Sequence, residues 1–154
     1  MRKFIISAAL VSAAFATQAS ANEARIEARG GVVFANGSSE AVAGAAAGYD
    51  FDLGDKGFVG VEVSGDKIIE DNTRISLGLS ARAGMKIGER AKLYAVGGYQ
   101  TKPCQFCEES WSAGAGLEVP FGKKLYGKVE YRHYFLDQGF SDYNSVVAGL
   151  GVRF

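Results

Sequence analysis

The sequence contains little of what metal enzymes and nucleic-acid-binding proteins are built from. Its 154 residues include one histidine and two cysteines, too few to suggest a zinc centre. Basic and acidic residues number 17 each, so no cationic surface for nucleic acid is indicated. After the first 21 residues, no apolar run approaches the ~18 residues that a membrane-spanning helix needs. If the chain crosses a membrane, it must do so with strands.

The first 21 residues have the composition of a secretory signal. Arg2 and Lys3 form a positive start, residues 4–16 are apolar, and residues 19–21 read Ala-Ser-Ala, a small-x-small cleavage site. We therefore expect residues 1–21 to be a signal peptide and residues 22–154 to be one mature domain. An uncleaved anchor helix is the alternative, and the short apolar stretch disfavours it. The signal carries two basic residues, so the mature chain has two more acidic than basic residues.

The last ten residues alternate with a period of two. Apolar side chains occupy every second position from Val146 to Phe154, and Ser145, Gly149 and Arg153 are among the residues between them. This alternation predicts a strand with one apolar face. An unpaired apolar strand would promote aggregation, so we expect it to close a sheet.

The mature chain contains eight such alternating segments. They cover residues 24–34, 41–53, 58–66, 73–87, 92–100, 111–121, 125–136 and 145–154. Short turns at 54–57, 88–91 and 122–124 alternate with connections at 36–40, 67–72, 101–110 and 137–144. An even strand count with this alternation predicts an all-β fold, an eight-stranded antiparallel up-and-down transmembrane β-barrel with both termini on the periplasmic side.

Parity places charged side chains on one face of the segments and aliphatic side chains on the other. A soluble lipocalin-like barrel would show the same alternation with its apolar face inward. Two observations favour a membrane barrel with the apolar face outward. Glycine and serine are interleaved with the charges, as a crowded interior requires, and aromatic residues collect near segment ends, as interfacial girdles do. These aromatic residues are Phe34, Phe51, Phe58, Tyr99, Trp111, Phe121, Phe135 and Phe154.

The segments Leu125–Arg132 and Val146–Phe154, together with the signal and the strand count, resemble the small outer-membrane β-barrel proteins of Gram-negative bacteria. That group includes opacity-like surface antigens and the OmpA transmembrane domain. The resemblance implies an outer-membrane location, contact with outer-membrane lipid and lipopolysaccharide, and a monomer that needs no cofactor and no nucleic acid. It also implies that the barrel-assembly machinery recognises the terminal strand, with Val152 and Phe154 as the assembly signal.

The charged face should line the lumen. The predicted lumen residues are Arg25, Glu27, Arg29, Asp50, Glu62, Arg74, Arg82, Lys86, Glu118, Lys128, Glu130 and Arg132. An eight-stranded barrel is just wide enough for side chains to fill it, and buried charges require partners. An ion-pair plug is the favoured interpretation and a narrow gated pore is the alternative.

Three further groups of residues could form chemical sites. Cys104 and Cys107 form a CxxC in a predicted outer loop; we favour an intraloop disulfide because the chain is exported, with a redox pair or a zinc site as alternatives. His133 suggests a comparison with barrel-type lipid A deacylases, which use a His-x-Ser pair, but Phe135 occupies the serine position. Ser141 lies in the following predicted loop, and its spacing from His133 gives no reason to pair the two as nucleophile and base. Asp66, Asp137 and Asp142 could form a loose acidic rim, although solvated loop carboxylates are the simpler interpretation.

These observations predict a non-enzymatic barrel with a structural or surface role, in envelope integrity or adhesion. A narrow channel for small solutes is the first alternative, and a soluble periplasmic carrier is the second.

Overall fold

A computed structural model describes residues 22–35, 37–70, 73–88, 91–102, 109–136 and 141–154. This part of the chain forms eight strands: β1 (Glu23–Ala35), β2 (Ser38–Leu53), β3 (Gly57–Ile68), β4 (Ser76–Ile87), β5 (Ala91–Gln100), β6 (Ser110–Phe121), β7 (Leu125–Phe135) and β8 (Tyr143–Arg153). Each strand pairs antiparallel with its neighbour in sequence, and β8 pairs with β1 to close the barrel. The predicted fold is confirmed. No helix among the described residues is long and apolar enough to span a membrane.

The burial pattern separates the two faces of every strand. Large apolar side chains are exposed at 27 described positions, including Ile26, Leu79 and Leu150, whereas only eight apolar residues are buried. Since the period of a strand is two, the intervening charged residues point into the barrel. The apolar face is therefore outside, which excludes the lipocalin-like alternative. The prediction that Phe58 belongs to the outer aromatic girdle is wrong. Phe58 points inward, on the same face of β3 as Glu62, and is 1% exposed.

Three tight connections define one end of the barrel. Residues 54–56, 88–90 and 122–124 join β2 to β3, β4 to β5 and β6 to β7. Each begins with a glycine at positive φ, namely Gly54 at 68°, Gly88 at 60° and Gly122 at 82°. L-residues with a Cβ rarely adopt this conformation, so glycine suits the position. We call this end, which also carries residues 22 and 154, the turn end, and the opposite end the loop end.

Several strand boundaries at the loop end differ from the predicted ones, and two of the differences have a clear cause. The connection between β1 and β2 shrinks to residues 36–37, because Ser38 and Ser39 already pair with Ala35 and Phe34. β4 begins at Ser76 instead of residue 73, because the Thr73 hydroxyl donates hydrogen bonds to the carbonyls of Ile68 and Glu70. Side-chain-to-backbone bonds of this kind close a turn and compete with strand pairing.

Inward-facing glycines permit the tight curvature of the sheet. A Cβ added to Gly31, Gly84 or Gly114 would lie 2.0–2.1 Å from a carbonyl oxygen of the adjacent strand. Such a contact with backbone cannot be relieved by a side-chain rotation, so the strands could not approach as they do. Glycine at these positions is consistent with its known use at sharp bends in barrels.

This geometry predicts that Gly114→Ala disrupts the barrel and Gly97→Ala does not. The new Cβ at position 114 would sit 2.0 Å from the Tyr131 carbonyl oxygen, whereas at position 97 it would sit 3.6 Å from the Ser112 carbonyl oxygen. The measurement is the fraction of protein whose mobility in SDS gels changes on boiling, since a closed barrel resists SDS until heated. Equal folded fractions for the two variants would contradict the curvature argument.

Candidate functional site

The lumen is filled by charged side chains of balanced sign. Six buried cations and six buried anions point into it, each no more than 9% exposed. They are Arg25, Arg29, Arg82, Lys92, Lys128 and Arg132, with Glu27, Asp50, Glu62, Asp66, Glu118 and Glu130. Equal numbers allow every charge to face its opposite, which is the condition for burying ions at tolerable free-energy cost.

Glu62 lies at the centre of the network. Its Oε2 accepts a hydrogen bond from Arg25 Nη1 at 2.7 Å and lies 3.3 Å from Lys128 Nζ. Its Oε1 lies 3.1 Å from Arg29 Nη1 and 3.3 Å from Arg132 Nη2. One carboxylate thus holds four cations that come from two of the other strands, β1 and β7. The side chain of Glu62 is 3% exposed, so little water screens these interactions.

Further acids neutralise the cations around Glu62. Arg29 forms a two-point bond with Asp66, Nε to Oδ1 at 2.8 Å and Nη2 to Oδ2 at 2.5 Å. Arg132 Nε donates to Glu130 Oε1 at 2.6 Å. Planar two-point pairing with carboxylates is a particular property of arginine, and it fixes orientation as well as charge.

A second cluster closes the lumen toward the turn end. Arg82 donates to both carboxylate oxygens of Asp50, at 2.9 and 2.5 Å, and to Glu118 Oε2 at 3.0 Å. Lys92 Nζ lies 2.8 Å from Asp50 Oδ2. The Arg82 guanidinium also lies 4.7 Å from the centre of the Tyr94 ring. Cation–π contact of this kind is strongest where water is excluded.

Two tyrosines extend the network and explain two further glycines. Tyr94 and Tyr126 donate hydrogen bonds to Glu130 and Glu27, at 2.7 and 2.8 Å. Each ring lies across the glycine paired with it on the next strand, where an added Cβ would come within 2.4–2.5 Å of the ring. Glycine therefore provides the space that the inward tyrosines occupy.

Above the ion pairs, at the loop end, the lumen narrows to a small cavity of about 30 Å³. Apolar Val33, Val42 and Val147 line it together with Tyr134 and Tyr143, whose rings stack with centroids 4.4 Å apart. Polar side chains, among them Arg29 and Asp66, also line this cavity, and a space of this size can hold ordered water.

The structure places eleven of the twelve predicted lumen residues inside the barrel. Lys86 lies near the turn end, paired with Asp52 at 2.5 Å and 29% exposed. The prediction that Arg74 lines the lumen is wrong. Arg74 precedes β4, is exposed, and forms no ion pair with the described residues. Its predicted position depended on extending the alternation back to residue 73, which the Thr73 turn prevents.

Sequence reasoning missed several lumen residues. Asp66 was assigned to an acidic rim but lies within β3 and binds Arg29. The predicted lumen set also lacks three residues that have inward parity on their strands, namely Lys92, Tyr94 and Tyr126. The signal that could have found them is this parity, applied to the residues at the strand ends and to the aromatic residues.

His133 lies on the outward face near the loop end and is held on both sides. Its Nδ1 is 2.8 Å from Asn144 Oδ1, and its Nε2 is 3.4 Å from Asp142 Oδ2. The Phe135 ring packs edge-on against the imidazole, with centroids 4.6 Å apart. Among the described residues, no serine, threonine or cysteine hydroxyl or thiol is hydrogen-bonded to His133. Its contacts with Asn144 in β8 and with Asp142 in the connection before β8 hold the end of β7 to the start of β8.

The remaining sequence predictions are placed as follows. Cys104, Cys107 and Asp137 lie outside the described residues, as do residues 1–21. Val152 is on the outward face of β8, and the Phe154 amide donates a hydrogen bond to the Ala24 carbonyl at 2.9 Å. Their role as an assembly signal stays a prediction. No group of three or more metal-binding side chains occurs in the described part of the chain.

Comparison with known proteins assigns the fold to a family. The outer membrane protein beta-barrel domain family matches residues 5–154. The chain belongs to this family. Its outward apolar face is therefore the face toward lipid, and the paired charges line the interior of an outer-membrane barrel. Comparison of the sequence with curated proteins gives no match.

Solved structures of small outer-membrane barrels share this architecture. The N-terminal barrel of Pseudomonas aeruginosa OprF superposes with a TM-score of 0.58 and 18% identity, covering 88% of this chain and 99% of that one. Ail, the attachment invasion locus protein of Yersinia pestis, gives 0.53 and 18%, covering 86% and 97%. The outer membrane enzyme PagL gives 0.62 and 14%, covering 83% and 98%. At these identities the likeness shows the fold alone.

The central position of Glu62 predicts that Glu62→Ala strongly destabilises the barrel. The substitution leaves four buried cations without their shared partner, and breaking a buried ion pair in this way costs about 3–5 kcal/mol. Glu70→Ala is the matched control, because Glu70 is exposed in the connection between β3 and β4. Urea unfolding of both variants in lipid vesicles measures the difference. A change in the free energy of unfolding as small as that of Glu70→Ala would show that Glu62 does not organise the network.

Proposed function

We propose that the protein is a non-conducting, non-enzymatic barrel that serves the outer membrane as a structural and surface-exposed component. The filled lumen is the observation that carries this proposal. Ion pairs occupy the lumen from Asp66 near the loop end to Lys86 near the turn end, and the cavity beside them at the loop end has a volume of about 30 Å³. A barrel closed in this way acts through its outer surface and loops.

Two properties support a role in the envelope itself. The interior is cross-linked between strands that are distant in sequence, for example by Tyr126 and Glu27 on β7 and β1. Such cross-links favour a rigid cylinder, which suits a protein that stabilises the membrane or holds short loops at the cell surface. Partners of this role are the surrounding lipid and lipopolysaccharide, and the barrel-assembly machinery during insertion.

A surface-contact role is a second candidate. The likeness to Ail, the attachment invasion locus protein of Yersinia pestis, makes adhesion a reasonable form of the same function. The identity of 18% carries no binding residue from that protein to this one. The loops of this chain are short, so any contact surface at the loop end is small.

The proposal predicts that the wild-type barrel shows no steady conductance steps in a planar lipid bilayer. The double variant Arg25→Ala/Glu62→Ala removes one cation and one anion from the centre of the lumen and keeps its net charge unchanged. We expect this variant to conduct, because water can enter the space left by two large paired side chains. Reproducible wild-type steps would instead favour the narrow solute channel. Mobility before and after boiling in SDS gels reports whether the variant is folded, and silence from both proteins when the variant is folded would show that the seal does not lie at this ion pair.

The proposal also predicts that the folded barrel hydrolyses neither lipid A nor phospholipid. Among the described residues, no serine, threonine or cysteine side chain is hydrogen-bonded to His133, and Phe135 stands where the deacylases have serine. Acyl release from lipid A and phosphatidylethanolamine vesicles is the measurement, with His133→Ala as the comparison. Hydrolysis by the wild-type barrel that disappears in His133→Ala would make the protein an enzyme and overturn this part of the proposal.

A further inference from the structure

The lipid-facing surface carries a groove with a volume of about 680 Å³ across β6, β7, β8 and β1. Its floor is made of residues with little or no side chain: Ala28, Gly30, Gly127 and Ala148. Its walls are large apolar side chains: Leu117, Val119, Phe121, Val129 and Leu150. The charged residues that border it, Arg29 and Lys128, point their side chains into the lumen. The groove is therefore lined predominantly by apolar groups.

The register gives the groove a direction. Val119, Gly127, Leu150 and Ala28 are successive partners across the four strands, and Leu117, Val129, Ala148 and Gly30 form the row beside them. One end of the groove lies at Phe121, the last residue of β6, beside the turn 122–124. The other end lies at Gly30, in the middle of β1. The groove thus leads from the turn end of the barrel toward the middle of the membrane.

Two lysines stand at the turn end of this groove. Lys123 and Lys124 are adjacent and exposed, and neither forms an ion pair with the described residues. The turn 54–56 differs, because it places Asp55 next to Lys56 and is neutral. A pair of lysines at the membrane surface attracts anionic headgroups, by about 1 kcal/mol for each lysine.

We propose that this groove and the two lysines form a binding site for an anionic phospholipid in the leaflet at the turn end. An acyl chain lies along the floor from Phe121 toward Gly30, and the headgroup phosphate lies beside Lys123 and Lys124. The occupant is an anionic lipid because the groove is predominantly apolar, is open to the membrane, and ends at a local excess of positive charge. The site does not depend on whether the lumen conducts.

The barrel offers its own comparison site. A second groove of about 560 Å³ lies across β2 to β5, lined by residues that include Phe51, Val59, Ala83 and Gly97. It ends near the neutral turn 54–56, so it combines a similar shape with no excess charge. Both grooves have a glycine on which a side chain can be built without backbone conflict, since an added Cβ would meet its nearest atom at 3.6 Å for Gly30 and for Gly97.

The test uses the folded barrel in nanodiscs that contain equal amounts of phosphatidylglycerol and phosphatidylcholine. Lipids that remain bound after extraction into mild detergent are counted by native mass spectrometry. We expect the wild-type barrel to retain one lipid, with phosphatidylglycerol favoured by about thirtyfold. The variant Lys123→Gln/Lys124→Gln should retain both lipids about equally, whereas Lys56→Gln should keep the preference.

Variants that fill the groove test whether its shape is needed for lipid binding, because they leave the two lysines in place. Gly30→Leu should abolish retention of both lipids, and Gly97→Leu, the matched change in the other groove, should leave retention as in the wild type. Ala148→Leu repeats the test at a position that already has a Cβ, in case Gly30→Leu fails to fold; mobility before and after boiling in SDS reports folding. No preference in the wild type, or equal losses in the paired variants, would overturn the proposal.

Discussion

The pairing of buried charges is the constraint on which the rest of this barrel depends. Eight strands enclose an interior that side chains fill, so an inward arginine or glutamate cannot be solvated by bulk water. Each must find an opposite charge within reach, and the six buried cations and six buried anions do so. Glu62 shows how far this goes, because a single carboxylate accepts contacts from four cations. The filled lumen is a consequence of this pairing, and the proposal of a non-conducting barrel rests on that filled lumen.

The glycines are the counterpart of the large charged side chains. Some inward glycines let neighbouring backbones approach closely, as at Gly114, and others leave room for a ring, as Gly151 does for Tyr126. Crowding by large charged side chains is only part of the reason why glycine is interleaved with the charges. Backbone curvature is the other part, and it cannot be read from composition, because it depends on which residues of adjacent strands face each other. That pairing is fixed only when the barrel closes.

The fold could be predicted from sequence because a strand repeats every two residues and the charges obey that repeat almost without exception. The errors lie where the repeat ends. Arg74 and Asp66 stand near the connection between β3 and β4, where a single hydroxyl, that of Thr73, sets the start of the strand. Phe58 was assigned by residue type instead of parity. The partners of each charge could not be predicted, because contacts such as those of Arg82 with Asp50 and Glu118 join strands that are not adjacent, and the stagger of the barrel decides them.

Because cross-linked charged side chains fill the interior, the outer surface of the barrel is where other molecules can make contact. The outside is not uniform: one groove ends at two unpaired lysines, whereas the other ends at a neutral turn. In a membrane, apolar shape alone discriminates poorly, since every acyl chain is apolar, whereas a charge placed at the mouth of a groove discriminates between headgroups. A rigid barrel also keeps such a groove in one shape, because its floor is the backbone of a sheet braced from inside by ion pairs. The interior network and the exterior surface are therefore linked mechanically, although no polar contact joins them.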